Sequence, residues 1–211
     1  MAPDARNRAL GLLLAGGLSR RMGGGDKCLA RVAGRPMLAH VIARLEPQVA
    51  RLVLNANGDP GRFDGFGLPV VADPVEGFAG PLAGVLAGML WAREHAPEMN
   101  WVASAATDTP FFPKDLVARL HAAIGGDPKA IALAASNGRV HPVFGLWPVA
   151  LADDLTGALR EGVRKVMVWV ERHFHAVHDF GRFDPDRDPF FNANTPEELA
   201  KVESLIREDA L

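Results

Sequence analysis

The sequence predicts a three-layer α/β domain, in which helices cover both faces of a mostly parallel sheet. Over residues 9–124, short apolar runs alternate with segments whose apolar side chains recur at helical spacing. Each apolar run stops at glycine or polar residues, as strands buried on both faces do. An Asn-Gly turn between two later apolar runs predicts an antiparallel excursion in the C-terminal half of the sheet.

The first half of the chain moves from strand to helix and back. Residues 9–15 are a continuous apolar run, which predicts a first, central strand. Pro36 opens a helix, since proline suits the first helical turn and apolar residues follow it at helical spacing. Gly84 and Gly88, four residues apart in a later helix, permit its close packing on the sheet. The other elements are strands over residues 51–57, 68–72 and 100–106 and helices over residues 80–95 and 113–124.

The second half adds shorter elements and one strong helix signal. The Asn-Gly turn lies within residues 136–139, and Thr195, Pro196 and Glu198 form a capping box that opens the last helix. Strands are predicted over residues 129–135, 140–147 and 174–180, and helices over residues 151–160 and 163–171. No repeat or linker interrupts the pattern, so we expect one domain over residues 1–211.

Composition excludes several classes of protein. The chain has 211 residues, 48% of them hydrophobic and 23% charged, which is enough apolar material for a sizeable core. The 23 Lys and Arg against 25 Asp and Glu leave a formal net charge of −2, so we expect no nucleic-acid partner. No apolar run is long enough to cross a bilayer, so no membrane partner is expected either. The single Cys28 fits a reducing compartment, and we expect a cytoplasmic protein.

Three histidines, His173, His175 and His178, have the composition of a metal triplet. Their spacing of two and then three residues places the third on the opposite face of a strand from the first two. We therefore expect a polar strand edge here and not a zinc site.

A glycine-rich loop directly behind the first strand is the most informative stretch of the chain. Residues 14–27 read LAGGLSRRMGGGDK, with five glycines, two arginines and a lysine. Glycines let backbone N–H groups approach an anion, and the cations neutralise phosphate charge, so the stretch predicts a triphosphate cradle. The loop matches neither of the two commonest phosphate-binding motifs. The alternative is a surface loop without a ligand.

This loop resembles the signature of the molybdenum cofactor guanylyltransferases, members of the nucleotidyltransferase superfamily. The similarity continues through later motifs, which are Gly34-Arg35-Pro36, Asn55-Ala56-Asn57, Asp73, Gly80-Pro81-Leu82-Ala83-Gly84, Asp108-Thr109-Pro110, His141-Pro142, Arg164-Lys165-Val166-Met167 and the run from Asn192 to Glu198. The first half of the signature is shared with cytidylyl- and sugar nucleotidyltransferases, so specificity for the guanylyl branch depends on the later motifs.

The resemblance implies a Rossmann-like fold and a reaction. GMP is transferred from GTP to the terminal phosphate of molybdenum-molybdopterin, pyrophosphate leaves, and Mg²⁺ or Mn²⁺ assists. The N-terminal half would bind GTP and the C-terminal half the acceptor. Molybdenum-insertion proteins and molybdoenzyme chaperones would be further partners. The alternatives are a molybdopterin cytidylyltransferase, a sugar nucleotidyltransferase and a non-catalytic nucleotide-binding module, and the retention of Lys27 and Asp108 speaks against the last.

The resemblance also implies roles for single residues on the nucleotide side. Lys27 and Arg21 would be catalytic residues that hold the outer phosphates, and Asp108 would be both catalytic and the metal ligand. The GTP-binding set is Leu14, Ala15, Gly16, Gly17, Lys27, Asn55, Asp73, Gly84 and Asp108. Asn55, Asp73 and Asp108 could instead serve as turn or cap residues at strand ends. Gly84 could instead be a helix-packing glycine.

The resemblance assigns the acceptor-binding residues less specifically than the nucleotide-binding residues. The candidates are Arg139, His141, Arg164, Lys165, Asn192 and Asn194. Arg164 and Lys165 could receive the pterin phosphate or could form a solvated helix end. His141 could donate a hydrogen bond to a pterin carbonyl or could be an ordinary strand histidine.

Overall fold

A twisted sheet lies at the centre of the computed structural model, which describes residues 9–15, 26–75, 80–184, 187–193 and 195–209. Within these residues the strands are β1 (Ala9–Leu14), β2 (Arg31–Val32), β3 (Arg35–Pro36), β4 (Arg51–Asn55), β5 (Val70–Val71), β6 (Trp101–Ala106), β7 (Ile131–Ser136), β8 (Arg139–Pro148) and β9 (His175–Asp179). Seven of the described strands form the main sheet in the order β5-β4-β1-β6-β8-β7-β9. Strands β2 and β3 form a separate hairpin.

The mixed direction of the sheet confirms the predicted fold class. Strand β1 is parallel to both of its neighbours, β4 and β6, and β5 is parallel to β4. Strand β8 is antiparallel to β6 and β7, and β9 is parallel to β7. Asn137 and Gly138, both at positive φ, form the turn of the predicted antiparallel pair.

Helices cover both faces of the sheet. They are α1 (Met37–Leu45), α2 (Pro81–His95), α3 (Leu116–Ala123), α4 (Ala152–Arg160), α5 (Val166–Val170) and α6 (Pro196–Asp209). Helices α1 and α3 contribute to one core cluster, and α2, α4 and α5 contribute to the cluster on the opposite face. A Cβ atom on Gly88 would lie 2.9 Å from Leu12 Cδ2, so this glycine lets α2 pack closely on β1, as predicted.

The element bounds differ from the predictions at identifiable residues. Strand β5 begins only at Val70, because Pro69 has no N–H for the ladder. Pro36 precedes the first helix instead of lying within it, since it ends the β2–β3 hairpin, whose turn places Ala33 and Gly34 at positive φ. The sequence pattern does not predict this hairpin. Helix α5 and helix α3 each begin three residues later than predicted.

The capping box of the last helix is confirmed. The Thr195 N–H donates to Glu198 Oε2 at 2.9 Å, and the Glu198 N–H donates to Thr195 Oγ1 at 3.2 Å. None of the helices in the described ranges is long and apolar enough to cross a membrane.

A buried serine fastens the antiparallel strand to the parallel part of the sheet. Ser104 on β6 is 1% exposed and donates to the Val143 carbonyl at 2.8 Å. Its oxygen accepts from Trp147 Nε1 at 2.7 Å. Trp147 is fully buried, so this contact satisfies an indole N–H that has no access to water.

The Ser104→Ala variant should therefore be less stable by about 1–3 kcal/mol, because it leaves the Trp147 N–H buried without a partner. Urea unfolding measures the change in free energy of unfolding. Ser204→Ala, on the exposed side of α6, is the matched control and should change stability by less than about 0.5 kcal/mol. Equal stability of the two variants would show that the Ser104 contact contributes nothing.

Candidate active site

The carboxyl ends of the parallel strands bring several of the predicted residues together. Leu14 ends β1, and its carbonyl accepts from the Thr107 N–H at 3.3 Å and the Thr107 hydroxyl at 3.2 Å. The Ala15 N–H donates to the Asn55 carbonyl at 2.9 Å. The start of the glycine-rich loop is thereby tied to the ends of both neighbouring strands. Ligands gather at this edge in open α/β sheets.

Part of the predicted site lies outside the described residues. These residues are Gly16, Gly17 and Arg21 of the loop and Asn194 near the last helix.

Lys27 and Asp108 meet at the centre of this edge. Lys27 Nζ lies 2.8 Å from Asp108 Oδ2, although the two residues are 81 positions apart in the chain. Lys27 begins a short 3-10 helix, Lys27–Leu29, and Asp108 lies in the turn after β6. Their side chains are 13% and 25% exposed, so the pair is partly screened from water but reachable. The Asp108 carboxylate thus forms an ion pair with Lys27 at the end of the loop. An Asp that served only to form the turn would not need this ion pair.

Residues near the C-terminal end of the chain also contact the Asp108 turn. The Asp108 carbonyl accepts from the Ala193 N–H at 3.1 Å. The Thr109 hydroxyl donates to Asn192 Oδ1 at 2.6 Å and lies 3.2 Å from Asp108 Oδ1. Asn192, predicted for the acceptor, therefore lies one side chain away from the predicted catalytic carboxylate.

Asp108 offers one carboxylate to a metal. In the described part of the chain, no group of three or more His, Cys, Asp or Glu is arranged to hold an ion. A lone, partly exposed carboxylate suits Mg²⁺, which takes few protein ligands and fills its shell with phosphate oxygens and water. The donor set therefore fits a cation that arrives with a nucleotide.

The three histidines have separate partners. His173 Nε2 lies 3.0 Å from Asp154 Oδ1, and His175 Nδ1 lies 3.0 Å from the His173 carbonyl. The His178 ring packs edge-on against Phe180. His175 and His178 lie on β9, the last strand in the sheet order, whereas His173 precedes this strand.

A second polar cluster lies where β4 and β5 end. Asn55 is 4% exposed, and its amide donates to Asp73 Oδ1 at 2.9 Å and to the Val71 carbonyl at 3.2 Å. Asn57 donates to Asp73 Oδ2 at 2.8 Å and accepts from the Asp73 N–H at 2.9 Å. The two predicted residues, Asn55 and Asp73, are thus brought together and held in one orientation. Asn57 is not among the predicted site residues. It follows Asn55 by two positions, and residues at this spacing in an extended segment face the same way, so its place beside Asn55 could have been predicted.

Gly84 brings helix α2 against this cluster. A Cβ atom at position 84 would lie 2.4 Å from Asn55 Oδ1 and 2.6 Å from Leu14 Cδ2. These distances support the helix-packing alternative, because the space beside the glycine is occupied by Asn55 and Leu14. Gly84 shapes the site by allowing this close approach.

The acceptor candidate His141, on β8, belongs to a partly buried network with Ser136 at the end of β7 and Asp188. Ser136 Oγ donates to the Asp188 carboxylate, 2.9 Å from both oxygens, and lies 2.7 Å from His141 Nε2. Since the one hydroxyl proton serves the carboxylate, the Ser136 oxygen accepts from the His141 Nε2–H. The His141 ring also stacks on Phe190, with centroids 4.5 Å apart. Asp188 further accepts from the Asn137 amide at 2.9 Å.

Three other acceptor candidates are exposed. Arg139 is the first residue of β8, and Lys165 immediately precedes α5. Arg164 donates to the Leu159 carbonyl at 2.7 Å and to the Val163 carbonyl at 2.9 Å, which caps the end of α4. The Arg164 carbonyl would lie 3.5 Å from a Cβ on Gly80, so this segment borders the start of α2. These contacts support the helix-end alternative for the Arg164 side chain.

Burial lowers the pKa of His141 below its usual range, and the charge of Arg139 lowers it further, while the carboxylate of Asp188 opposes both effects. His141 is therefore largely neutral near pH 7.

Removal of the opposing charge should lower this pKa again. In Asp188→Asn, the pKa of His141 should fall below its wild-type value, because the imidazolium loses a stabilising carboxylate. An NMR titration of the ring protons measures it. Asp153→Asn, at an exposed position of helix α4, is the control and should leave the pKa of His141 unchanged. An unchanged or higher pKa in Asp188→Asn would contradict the assigned network.

Comparison with known proteins gives the family. The model of the MobA-like NTP transferase domain matches residues 11–177. The molybdenum cofactor guanylyltransferase of Bradyrhizobium sp. (strain ORS 278) is 57% identical over 196 residues, which is 92% of each chain. The enzyme of the same name from Rhodopseudomonas palustris (strain BisB5) is 54% identical over 200 residues, 94% of each chain.

The fold is shared with solved structures of lower identity. The crystal structure of molybdopterin-guanine dinucleotide biosynthesis protein A from Archaeoglobus fulgidus superposes with a TM-score of 0.72 at 22% identity, over 94% of this chain and 99% of that one. The family match and the relatives confirm the predicted resemblance, and the chain belongs to the MobA-like NTP transferase family.

Proposed function

We propose that this nucleotidyltransferase transfers GMP from GTP to molybdenum-molybdopterin, forming the guanine dinucleotide cofactor and releasing pyrophosphate. The observation that carries the proposal is the Lys27–Asp108 contact at the carboxyl edge of the sheet. It brings the cation that we assign to the phosphates and the carboxylate that we assign to the metal to one point. The names of relatives at 57% and 54% identity support GTP as the donor and molybdopterin as the acceptor.

The nucleoside of GTP would bind along the ends of β1, β4 and β5. Asn55 and Asp73 present amide and carboxylate groups in a fixed arrangement, and Leu14 and Ala15 supply backbone groups beside them. A base edge or ribose bound there leads its phosphates toward the glycine-rich loop. The backbone N–H groups of Gly16 and Gly17 and the side chain of Arg21 would serve those phosphates.

Lys27 and Asp108 would exchange partners when the nucleotide binds. In the structure the lysine neutralises the carboxylate. With the triphosphate in place, the Lys27 amine would serve the outer phosphates, and the Asp108 carboxylate would become free to hold Mg²⁺ or Mn²⁺. The cation, when bound, supplies positive charge to the α-phosphate and the leaving pyrophosphate.

The reaction requires positioning and charge neutralisation by the protein. An oxygen of the acceptor phosphate forms a bond to the α-phosphorus, and the bond from that phosphorus to the pyrophosphate oxygen breaks. Two anions approach each other, so the cationic side chains of Lys27 and Arg21 lower the barrier by neutralising charge that builds up in the transition state. No covalent intermediate with the enzyme is needed.

The acceptor would bind on the C-terminal side of a single domain, over residues 1–211. Asn192 is placed beside Asp108 through Thr109, and Asn194 follows two residues later. His141 would offer its ring to the pterin, while Arg139, Arg164 and Lys165 would supply positive charge at the rim. Molybdenum-insertion proteins and molybdoenzyme chaperones would then receive the product in the cytoplasm.

Calorimetry with GTP, CTP, ATP and UTP in the presence and absence of Mg²⁺ tests the donor. GTP should bind at least about tenfold more tightly than the others, because a site that hydrogen-bonds one base leaves polar groups unpaired with another. Pyrophosphate release on addition of molybdenum-molybdopterin then tests the transfer. Asp108→Asn should retain GTP binding but lower release by about 10²-fold or more.

A preference for CTP would move the protein to the cytidylyl branch. GTP binding without pyrophosphate release on a competent acceptor would leave a non-catalytic nucleotide-binding module as the better account.

A further inference from the structure

Arg62 has a dense set of contacts outside the site described so far. It lies in the 3-10 helix Pro60–Phe66, and its side chain is 26% exposed. Its guanidinium donates to the Asn57 carbonyl and to the Asp59 carbonyl, both at 2.6 Å. Its Nε lies 2.5 Å from Asp26 Oδ2, in an ion pair that does not have hydrogen-bond geometry. The guanidinium also lies 4.7 Å above the Phe63 ring.

These contacts join the two parts of the nucleotide site. Asn57 is hydrogen-bonded to Asp73 in the polar cluster of Asn55, Asn57 and Asp73, which we call the nucleoside cluster after its proposed ligand. Asp26 is the residue immediately before Lys27, at the end of the glycine-rich loop. One planar side chain therefore links the end of β4 to the segment that carries the catalytic lysine. A guanidinium suits this position, because its fixed fork serves several acceptors at once and a lysine amine does not.

We propose that Arg62 is a positioning residue, which neutralises Asp26 and holds the Lys27 segment against the nucleoside cluster. The assignment of Lys27 to the phosphates rests on the proposed function, while the linkage itself stands on the contacts alone. Asp26 would otherwise present a negative charge one residue away from the place where the triphosphate binds. Its side chain is 24% exposed, so solvent would screen that charge only in part.

Cys28 reports on this segment independently of activity. It is the single cysteine of the chain, it directly follows Lys27, and it is 3% exposed. Burial first, and the charge of Asp26 second, raise the pKa of its thiol to about 11, while the charge of Arg62 lowers it. Loss of the Arg62 charge alone would therefore make the thiol less acidic and slow its reaction with a thiol reagent. Faster labelling in an Arg62 variant can only come from exposure of the segment.

The first measurement is the rate of Cys28 labelling by iodoacetamide at one pH in the full chain. Arg62→Gln should label about tenfold faster than the wild type, because local opening exposes the thiol. Arg51→Gln is the matched control, since Arg51 begins β4 and is half exposed, with Glu98 as a partner at 3.8 Å. It should label at the wild-type rate. Thermal unfolding of each variant shows whether the fold is retained. If Arg62→Gln does not fold, Arg62→Lys replaces it in the labelling experiment.

The second measurement is the KM for GTP in pyrophosphate release. Arg62→Gln should raise this KM by about tenfold, because Asp26 then repels the triphosphate. Adding Asp26→Asn should return the KM toward the wild-type value. A side chain that only supports the fold would lower the fraction of active enzyme and leave the KM unchanged, and removal of Asp26 would not rescue it.

The outcomes separate this proposal from the proposed function. Unchanged Cys28 labelling in Arg62→Gln overturns the linkage. Faster labelling with an unchanged KM overturns the positioning role. Failure of the wild-type protein to release pyrophosphate from GTP overturns the proposed function, while the labelling experiment still decides whether Arg62 holds the Lys27 segment.

Discussion

The ion pair between Lys27 and Asp108 is the interaction on which the site depends. It joins the end of the glycine-rich loop to the end of β6 across 81 residues of sequence. Further contacts lie on the Asp108 side of the pair, where the Ala193 N–H donates to the Asp108 carbonyl and the Thr109 hydroxyl donates to Asn192. Three distant parts of the chain therefore meet at one pair of opposite charges. Partial burial strengthens the attraction, and partial exposure leaves both groups available to a ligand.

Strand β1 makes this meeting possible. It pairs with β4 on one side and β6 on the other, so its end lies between the polar cluster of Asn55 and Asp73 and the Lys27–Asp108 pair. The Leu14 carbonyl and the Ala15 N–H extend that pairing past the strand end to Thr107 and Asn55. Helix α2 can lie close behind because Gly84 and Gly88 have no side chain at the contact. The close packing of α2 on β1 therefore also fixes the position of the site residues at the end of β1.

The sequence predicted those features that depend on local pattern. Continuous apolar runs identified β1 and β6, the Asn-Gly turn identified the antiparallel pair, and the capping box identified the start of α6. The sequence did not predict the β2–β3 hairpin, because two-residue strands show no hydrophobic periodicity. Its turn also places Ala33 at a positive φ, which an alanine side chain does not favour. The observed start of α5 is three residues later than the predicted one, because the backbone of residues 163–165 is irregular.

Family resemblance and strand-end position predicted Lys27, Asp108, Asn55 and Asp73 as site residues, and the structure brings them together as two contacting pairs. Residues that act through distant partners could not be found in this way. Ser136 and Asp188 are 52 residues apart, and nothing in either neighbourhood predicts their hydrogen bond. Arg62 lies in a segment without periodic pattern, and its contacts arise only when β4 and the loop end are folded together. Arg164 could be predicted either as a ligand of the pterin phosphate or as part of a helix end, and only the structure shows its contact with the Leu159 carbonyl of α4.

The most direct test of the central claim is a double-mutant cycle on the single-turnover rate of GMP transfer, with Lys27→Ala, Asp108→Ala and the double variant. Groups that act as one unit have strongly non-additive effects. The account predicts that the double variant is no more than about threefold slower than the slower single variant. Losses that multiply would show that the two residues act independently, and would contradict a site in which Lys27 and Asp108 act as one unit in the transfer.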